Sequence, residues 1–316
     1  MEYRKLGKTG IRVSCITHGC MELGGSNRPE IYWDVRDEEI NVRLLQKALS
    51  LGINCFDTAE SYGNGRSEII VGRALASVRS QCVLATKIAK THLHADDIER
   101  SVEGSLRRLQ TDYIDLYYVH WPNPDIPLSE TMTKLEKLRE SGVLRAIGVS
   151  NFHADQLKEA LQYAQIDAYQ PEYNLLSRDI EQDIIPLCAA NQISVFSYNS
   201  LAKGILTGIF HSNGGLRQPE DFRSAKALFQ PSSLEMERPL IDCLMQLAKK
   251  YDATPAQIAV RWLLDQPAMT STIIGTQNSK HFVDNIRAAE LALDADDICS
   301  LSTVSADVIN ALKAKE

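Results

Sequence analysis

Eight times along this chain a short run of apolar and β-branched residues gives way to a longer amphipathic stretch. The runs are CITHGCM (15–21), INCFDTA (53–59), CVLATKI (82–88), IDLYYVH (114–120), RAIGVS (145–150), AYQPEY (168–173), SVFSYN (194–199) and TSTIIG (270–275). Helical spacing follows them, as with Leu44, Leu45, Ala48 and Leu51 within 38–51. Further helices are expected at 67–77, 96–109, 128–142, 154–164, 179–191, 237–250, 255–265 and 279–291. Strict alternation demands a parallel sheet with helices outside it. Eight units predict closure into an α/β fold of the (β/α)8 TIM barrel type. The rival is an open doubly wound sheet. Its dinucleotide-binding form would want G-x-G-x-x-G at the first strand–helix turn, and HGCMELGG does not supply it. Ahead of the series, YRKLGKTGIRVS reads as an N-terminal β-hairpin across a Lys-Thr-Gly turn.

The chain has 316 residues, 44% of them hydrophobic, which is enough for one barrel domain over 1–316. No linker or low-complexity tract divides it. The net charge is -7 and no Lys/Arg stripe is present, which argues against nucleic acid as a partner. The first residues lack the apolar core of a secretory signal, and no apolar stretch approaches the ~20 residues of a membrane span. Seven cysteines, an odd and scattered set without C-x-x-C, suit free thiols in a reducing, cytoplasmic setting.

In such a barrel the C-terminal ends of the strands form the active face. Asp57 follows INCF, with Tyr62 in the loop beyond; Lys87 ends CVLAT; His120 ends IDLYYV. By the two-residue period, Val83, Ala85 and Lys87 share one face, as do Ile114, Leu116, Tyr118 and His120. Taken singly, each residue has an ordinary role: turn former, solvated rim lysine, hydrogen-bonded filler. Four of them converging on one rim make a chemical set. A tyrosine of pKa ~10 is a poor acid at neutral pH. A lysine cation beside it lowers that value, and the aspartate holds the lysine charged. The histidine can hydrogen-bond the oxygen that the tyrosine protonates. No side chain here supplies a hydride, so carbonyl reduction needs a cofactor. The loops NSLAKGILTG and GTQNSKHFVDN, after the last two strands, offer small and hydroxyl residues, with Lys203 and Lys280, for a phosphate.

NCFDTAESYGNGRSE, LATKI, DYIDLYYVHWPNP, GVLRAIGVSNF and QPEYNLL, in that order, resemble the blocks of the aldo-keto reductase superfamily over nearly the whole chain. The likeness is greatest to the bacterial branch similar to general stress reductases and potassium-channel β subunits. The resemblance implies a catalytic tetrad of Asp57, Tyr62, Lys87 and His120. It implies NADPH as cofactor, with NADH possible, and a small-molecule carbonyl substrate. The nicotinamide would stack on Tyr198 and its carboxamide would meet Ser150, Asn151 and Gln170. Gly19, Cys20 and Met21 would touch the cofactor from the first strand end. The pyrophosphate would lie along Asn199, Ser200, Leu201, Lys203 and Gly204, with Leu206 nearby. The adenosine end would use Gly275, Thr276, Gln277, His281, Asp284 and Asn285. Many relatives carry a cation near Gln277 or His281 and a lysine at Ile209; Arg223 is the candidate to compensate.

A substrate wall is expected from 26–35, with Trp33 and Tyr32, from Trp121 to Pro124, and from HSNGGLRQPEDF. His92 and His94 lack a third well-placed ligand, so no metal is expected. His18 is given no role. Two other functions use the same residues. A Schiff-base aldolase would be built on Lys87. A cofactor-binding, redox-sensing regulatory subunit would show little turnover.

Overall fold

The computed structural model describes residues 1–25, 37–216, 221–276 and 278–315. The N-terminal hairpin pairs β1 (Tyr3–Lys5) with β2 (Arg12–Ser14) antiparallel. It plugs the N-terminal mouth of the barrel. Leu6 and Val13 are fully buried in the barrel's inner cluster, with Ile11 packed against it. Gly7 has φ +48°, and a Cβ there would sit 2.5 Å from the Asp167 carbonyl oxygen, so only glycine allows the approach.

The strands β3 (Ile16–Gly19), β4 (Cys55–Asp57), β5 (Val83–Ile88), β6 (Leu116–Val119), β7 (Ile147–Ser150), β8 (Ala168–Gln170), β9 (Ser194–Ser197) and β10 (Met269–Gly275) form a closed parallel barrel in chain order, β10 pairing with β3. The expected (β/α)8 barrel and its hairpin are thus what the chain forms. Between and after the strands stand α1 (Glu38–Ser50), α2 (Arg66–Leu75), α3 (Ala95–Leu109), α4 (Leu128–Glu140), α5 (Ala154–Ala160), α6 (Ile184–Asn191), α7 (Ile209–Ser212), α8 (Pro231–Lys250), α9 (Pro255–Leu264), α10 (Ser279–Ile286) and α11 (Ala295–Lys313).

Period-two alternation splits the core into two shells. Cys55, Val83, Ala85, Leu116, Tyr118, Ala168 and Phe196 point inward. Their neighbours, such as Phe56, Leu84, Tyr117 and Tyr169, face the helices. Gly148 on β7 leaves room for the Tyr118 ring: a Cβ there would lie 2.3 Å from Tyr118 Cδ1.

Several boundaries differ from the sequence expectation. The strand expected at 168–173 ends at Gln170, because Pro171 has no N–H to give the ladder. The helix expected from 237 begins at Pro231, where a first-turn proline is tolerated, and runs through Pro239. The helix expected over 179–191 splits into a 3-10 turn at Asp179–Glu181 and α6. The one over 279–291 ends at Ile286 and continues as 3-10 turns. The series also omits α11, which packs along α8. No helix among the described residues is long and apolar enough to cross a membrane.

Candidate active site

Three neighbouring strands deliver the expected groups to the C-terminal rim. Asp57 closes β4, Lys87 lies in β5, and His120 immediately follows β6. Parallel register sets Asp57 beside Ala85, and Lys87 beside Tyr118. Tyr62 comes from the turn after β4. That turn is made by three successive left-handed residues, Gly63 (φ 58°), Asn64 (φ 54°) and Gly65 (φ 86°). A Cβ on Gly63 would lie 2.3 Å from the Gly24 carbonyl oxygen, and one on Gly24 would lie 2.9 Å from that of Tyr62. Glycine against glycine therefore fixes the Tyr62 loop against the turn that follows β3. Ser67 closes the same corner, donating to the Cys20 carbonyl at 2.7 Å and accepting from Thr58 Oγ1 at 2.8 Å.

The side chain of Lys87 has no solvent exposure. Its ammonium donates to Asp57 Oδ1 at 2.5 Å, to the Thr58 carbonyl at 2.8 Å and to Tyr62 Oη at 3.2 Å. Three acceptors satisfy three N–H groups, the condition for a buried ammonium. The other carboxylate oxygen of Asp57 accepts from Gln170 Nε2 at 2.8 Å. His120 and Tyr62 meet edge to face, centroids 5.7 Å apart. Burial pulls the Lys87 ammonium down, but Asp57 and Tyr62 outweigh it and the net shift is upward. An amine nucleophile needs the opposite shift, which argues against the aldolase. Burial and then the Lys87 charge push the His120 imidazole down to about 3, so it is neutral at neutral pH.

One sequence expectation is corrected here. Lys87 does pull the Tyr62 phenol downward, but burial pushes harder in the other direction and the net shift is upward. The lysine moderates the phenol of a half-buried tyrosine rather than creating an unusually acidic one.

The residues that resemblance links to a cofactor fall into three groups. The first is a hydrogen-bonded chain across β7–β9: Ser150 Oγ donates to the Gln170 carbonyl (2.7 Å), Asn151 Nδ2 to Ser150 Oγ (3.0 Å) and to the His120 carbonyl (2.9 Å), and Tyr198 Oη to Asn151 Oδ1 (2.8 Å). Asn151 takes φ 62°. The second is the loop after β9, where Asn199 (φ 53°), Ala202 (φ 48°), Lys203 (φ 54°) and Gly204 (φ 98°) are left-handed. Asn199 braces it, accepting from the Lys203 N–H (2.8 Å) and donating to Glu172 (2.6 Å). Leu201 is half-buried, while Leu206 is fully buried in the outer core. Ser200 Oγ donates to the Ile273 carbonyl at 3.0 Å. Arg223 donates to the Lys203 carbonyl at 3.1 Å and is ion-paired with Asp221. The third lies at the end of β10. Gly275 is in register with Gly19, Thr276 Oγ1 accepts from Asn278 N–H, and Asn278 caps α10, which carries His281, Asp284 and Asn285. Cys20 is buried and Met21 is 40% exposed. Trp121 stands 48% exposed beside His120. Trp33, Tyr32 and Gln277 lie outside the described residues.

His92 and His94 pair with different carboxylates, Glu60 (2.9 Å) and Glu130 (3.2 Å). Among the described residues no three metal-type ligands converge. The sequence reading missed the Gln170–Asp57 contact. The period-two alternation puts Gln170 on the same inner face as Ala168, but it does not name the partner that the side chain meets across the mouth.

Comparison with known proteins settles the relationship. The Aldo/keto reductase family model matches residues 16–306. The chain belongs to the aldo/keto reductase family. This aldo/keto reductase is 35% identical to aldo-keto reductase YhdN of Bacillus subtilis, over 98% of the chain and 95% of the relative. It is 33% identical to the NADH-specific methylglyoxal reductase of Escherichia coli, over 92% and 94%. Among solved structures it is similar to an aldo/keto reductase from Klebsiella pneumoniae in complex with NADP and acetate. The TM-score is 0.75 and the identity 29%, covering 95% of each chain. The family is one of oxidoreductases that act on small carbonyl compounds.

Proposed function

We propose that this chain reduces aldehydes or ketones to alcohols with a nicotinamide cofactor, preferring NADPH and accepting NADH, and that Tyr62 is the proton donor. The observation that carries the reading is the buried Lys87 ammonium shared among Asp57, Thr58 and Tyr62. The residues present fit the cofactor chemically. Ser150, Asn151 and Gln170 present the amide and hydroxyl groups that a carboxamide needs, beside the aromatic face of Tyr198. The loop 199–204 bonds the N–H groups of Ala202, Lys203 and Gly204 within itself, and it brings the Lys203 and Arg223 cations to one edge, which suits a pyrophosphate. The NADP complex of the Klebsiella relative supports NADPH, and the NADH-specific Escherichia coli relative supports use of NADH as well.

When bound, the nicotinamide supplies the hydride that no side chain here has. The protein's part is electrostatic. Neutral His120 donates a hydrogen bond to the carbonyl oxygen without carrying charge into the site. Tyr62 gives its proton to that oxygen as negative charge builds there. Lys87 stabilises the phenolate left behind, and Asp57 keeps Lys87 charged and aimed. A spectrophotometric screen of aldehydes, ketones and sugar-derived carbonyls, with NADPH and NADH in parallel, tests the reading. Oxidation of either cofactor that depends on a carbonyl compound is expected. Binding of cofactor without turnover of any carbonyl would overturn it.

A further inference from the structure

We propose that Gln170 is a positioning residue for the proton donor, acting on Tyr62 through Asp57 and Lys87 in addition to any contact with a cofactor. The proposal rests on the reductase reading above.

Gln170 ends β8, on the far side of the barrel mouth from β4, and is 3% exposed. Its Nε2 nevertheless reaches Asp57 Oδ2 at 2.8 Å. The carboxylate is thus gripped at both oxygens, by Gln170 on one and by Lys87 on the other. Lys87 continues the line to Tyr62 Oη at 3.2 Å. Gln170 is itself held, since its carbonyl accepts from Ser150 Oγ at 2.7 Å. A primary amide has two N–H groups and one carbonyl, so one N–H can serve Asp57 while the rest of the amide faces a ligand. One side chain can therefore join the ring-binding end of the site to its acid.

The direction of the effect follows from charge. An N–H donated to a carboxylate draws off part of its negative charge. Asp57 opposes ionisation of Tyr62, and Lys87 favours it. Removing the Gln170 donor strengthens the opposing field, so the phenol becomes harder to ionise. The charged and titratable groups facing Tyr62 are Asp57, Lys87 and Cys20 from β4, β5 and the end of β3, with His120 and Tyr198 beyond β6 and β9.

The test is NMR titration of isotope-labelled tyrosine in the full-length protein, with the Tyr62 signal assigned by its loss in Tyr62→Phe. Gln170→Leu keeps bulk and removes the donor. It should raise the Tyr62 ionisation midpoint by about half a pH unit or more. The same substitution on an Asp57→Asn background should leave the midpoint unmoved. An unchanged midpoint in the first variant, or an equal shift in both backgrounds, overturns the proposal. The measurement needs no turnover, so a failed carbonyl screen and a failed coupling are read separately. With a substrate in hand, Gln170→Leu should lower kcat at saturating cofactor; a raised cofactor KM with unchanged kcat would also overturn the proposal.

Discussion

The imidazole of His120 meets the Tyr62 ring nearly at right angles, their planes 81° apart and their centroids separated by 5.7 Å. The two polar groups thus come to one region from different elements, the imidazole from the end of β6 and the half-buried phenol from the turn after β4. Substituting Tyr62→Phe preserves the ring packing and removes the proton. Carbonyl reduction should fall by about 10²–10⁴-fold while cofactor affinity stays within a few-fold. Steady-state assays beside fluorescence titration check this; a variant retaining most of its turnover would remove Tyr62 from the donor role.

Lys87→Met should act on both rate and stability. The buried Asp57 carboxylate would keep Gln170 but lose its cation, a defect of about 3–5 kcal/mol when one partner of a buried pair is deleted. The phenol would lose the charge that pulls its ionisation down, so the basic limb of the pH–rate profile should move to higher pH. Denaturant melts and a pH–rate series on the same preparation separate the two effects. A basic limb that stays in place would refute the Lys87–Tyr62 coupling.

Cofactor preference should be real but narrow. Arg223, the candidate for a 2′-phosphate, is already ion-paired with Asp221 and bonded to the Lys203 carbonyl. Ile209 is half exposed and brings no charge to the position where the family resemblance led us to expect a lysine. Gln277→Arg should add a charge-assisted contact and widen the NADPH preference by about ten- to a hundredfold. Parallel fluorescence titrations with NADPH and NADH measure the margin. Tighter binding of NADH by the unsubstituted chain would recast it as NAD-linked.

A buried pair away from the site should govern stability against pH. His211 Nε2 and Glu237 Oε2 lie 3.5 Å apart, almost wholly buried, and none of their side-chain polar atoms has a hydrogen-bond partner. Burial lifts Glu237 to about 8 and drags His211 below its usual range; Arg238 and Asp242 are the nearby charges. A carboxyl raised in the folded state holds a proton that the unfolded chain releases. Its contribution is therefore full below the unfolded value near 4.5 and is lost as pH climbs to about 8. Glu237→Gln cannot lose that proton. Its free energy of unfolding, read from denaturant melts, should rise relative to the parent between about pH 5 and pH 8, by up to ~1.4 kcal/mol per pH unit. A difference that does not change with pH would contradict the assignment.

Much of this was legible in the sequence, because periodicity and burial follow the same rule. Strict alternation predicted the barrel, and the two-residue period put Lys87 on the inner face with Val83 and Ala85; it also set Ile114 with Leu116 and Tyr118, whereas Ile114 lies ahead of β6 and packs in the outer core. What the sequence hid depends on distance across the mouth or on competition between terms. The Gln170–Asp57 contact joins β4 to β8, and no local pattern marks a pair so far apart. The ionisation of Tyr62 depends on burial exceeding a neighbouring charge, a balance that residue types alone do not settle. The start of α8 was obscured by Pro231 and Pro239, which mark breaks in one context and here stand in the first turn and the interior of one helix.

The Tyr118 ring fills the volume that Gly148 leaves empty on the neighbouring strand. The two positions are therefore one choice made twice. A relative that places a side chain at the position of Gly148 must shrink the residue at that of Tyr118, and a relative that keeps the tyrosine must keep the glycine. In an alignment of the family these columns should covary, and a chimera that takes one strand from each kind of parent should misfold even though both parents are sound.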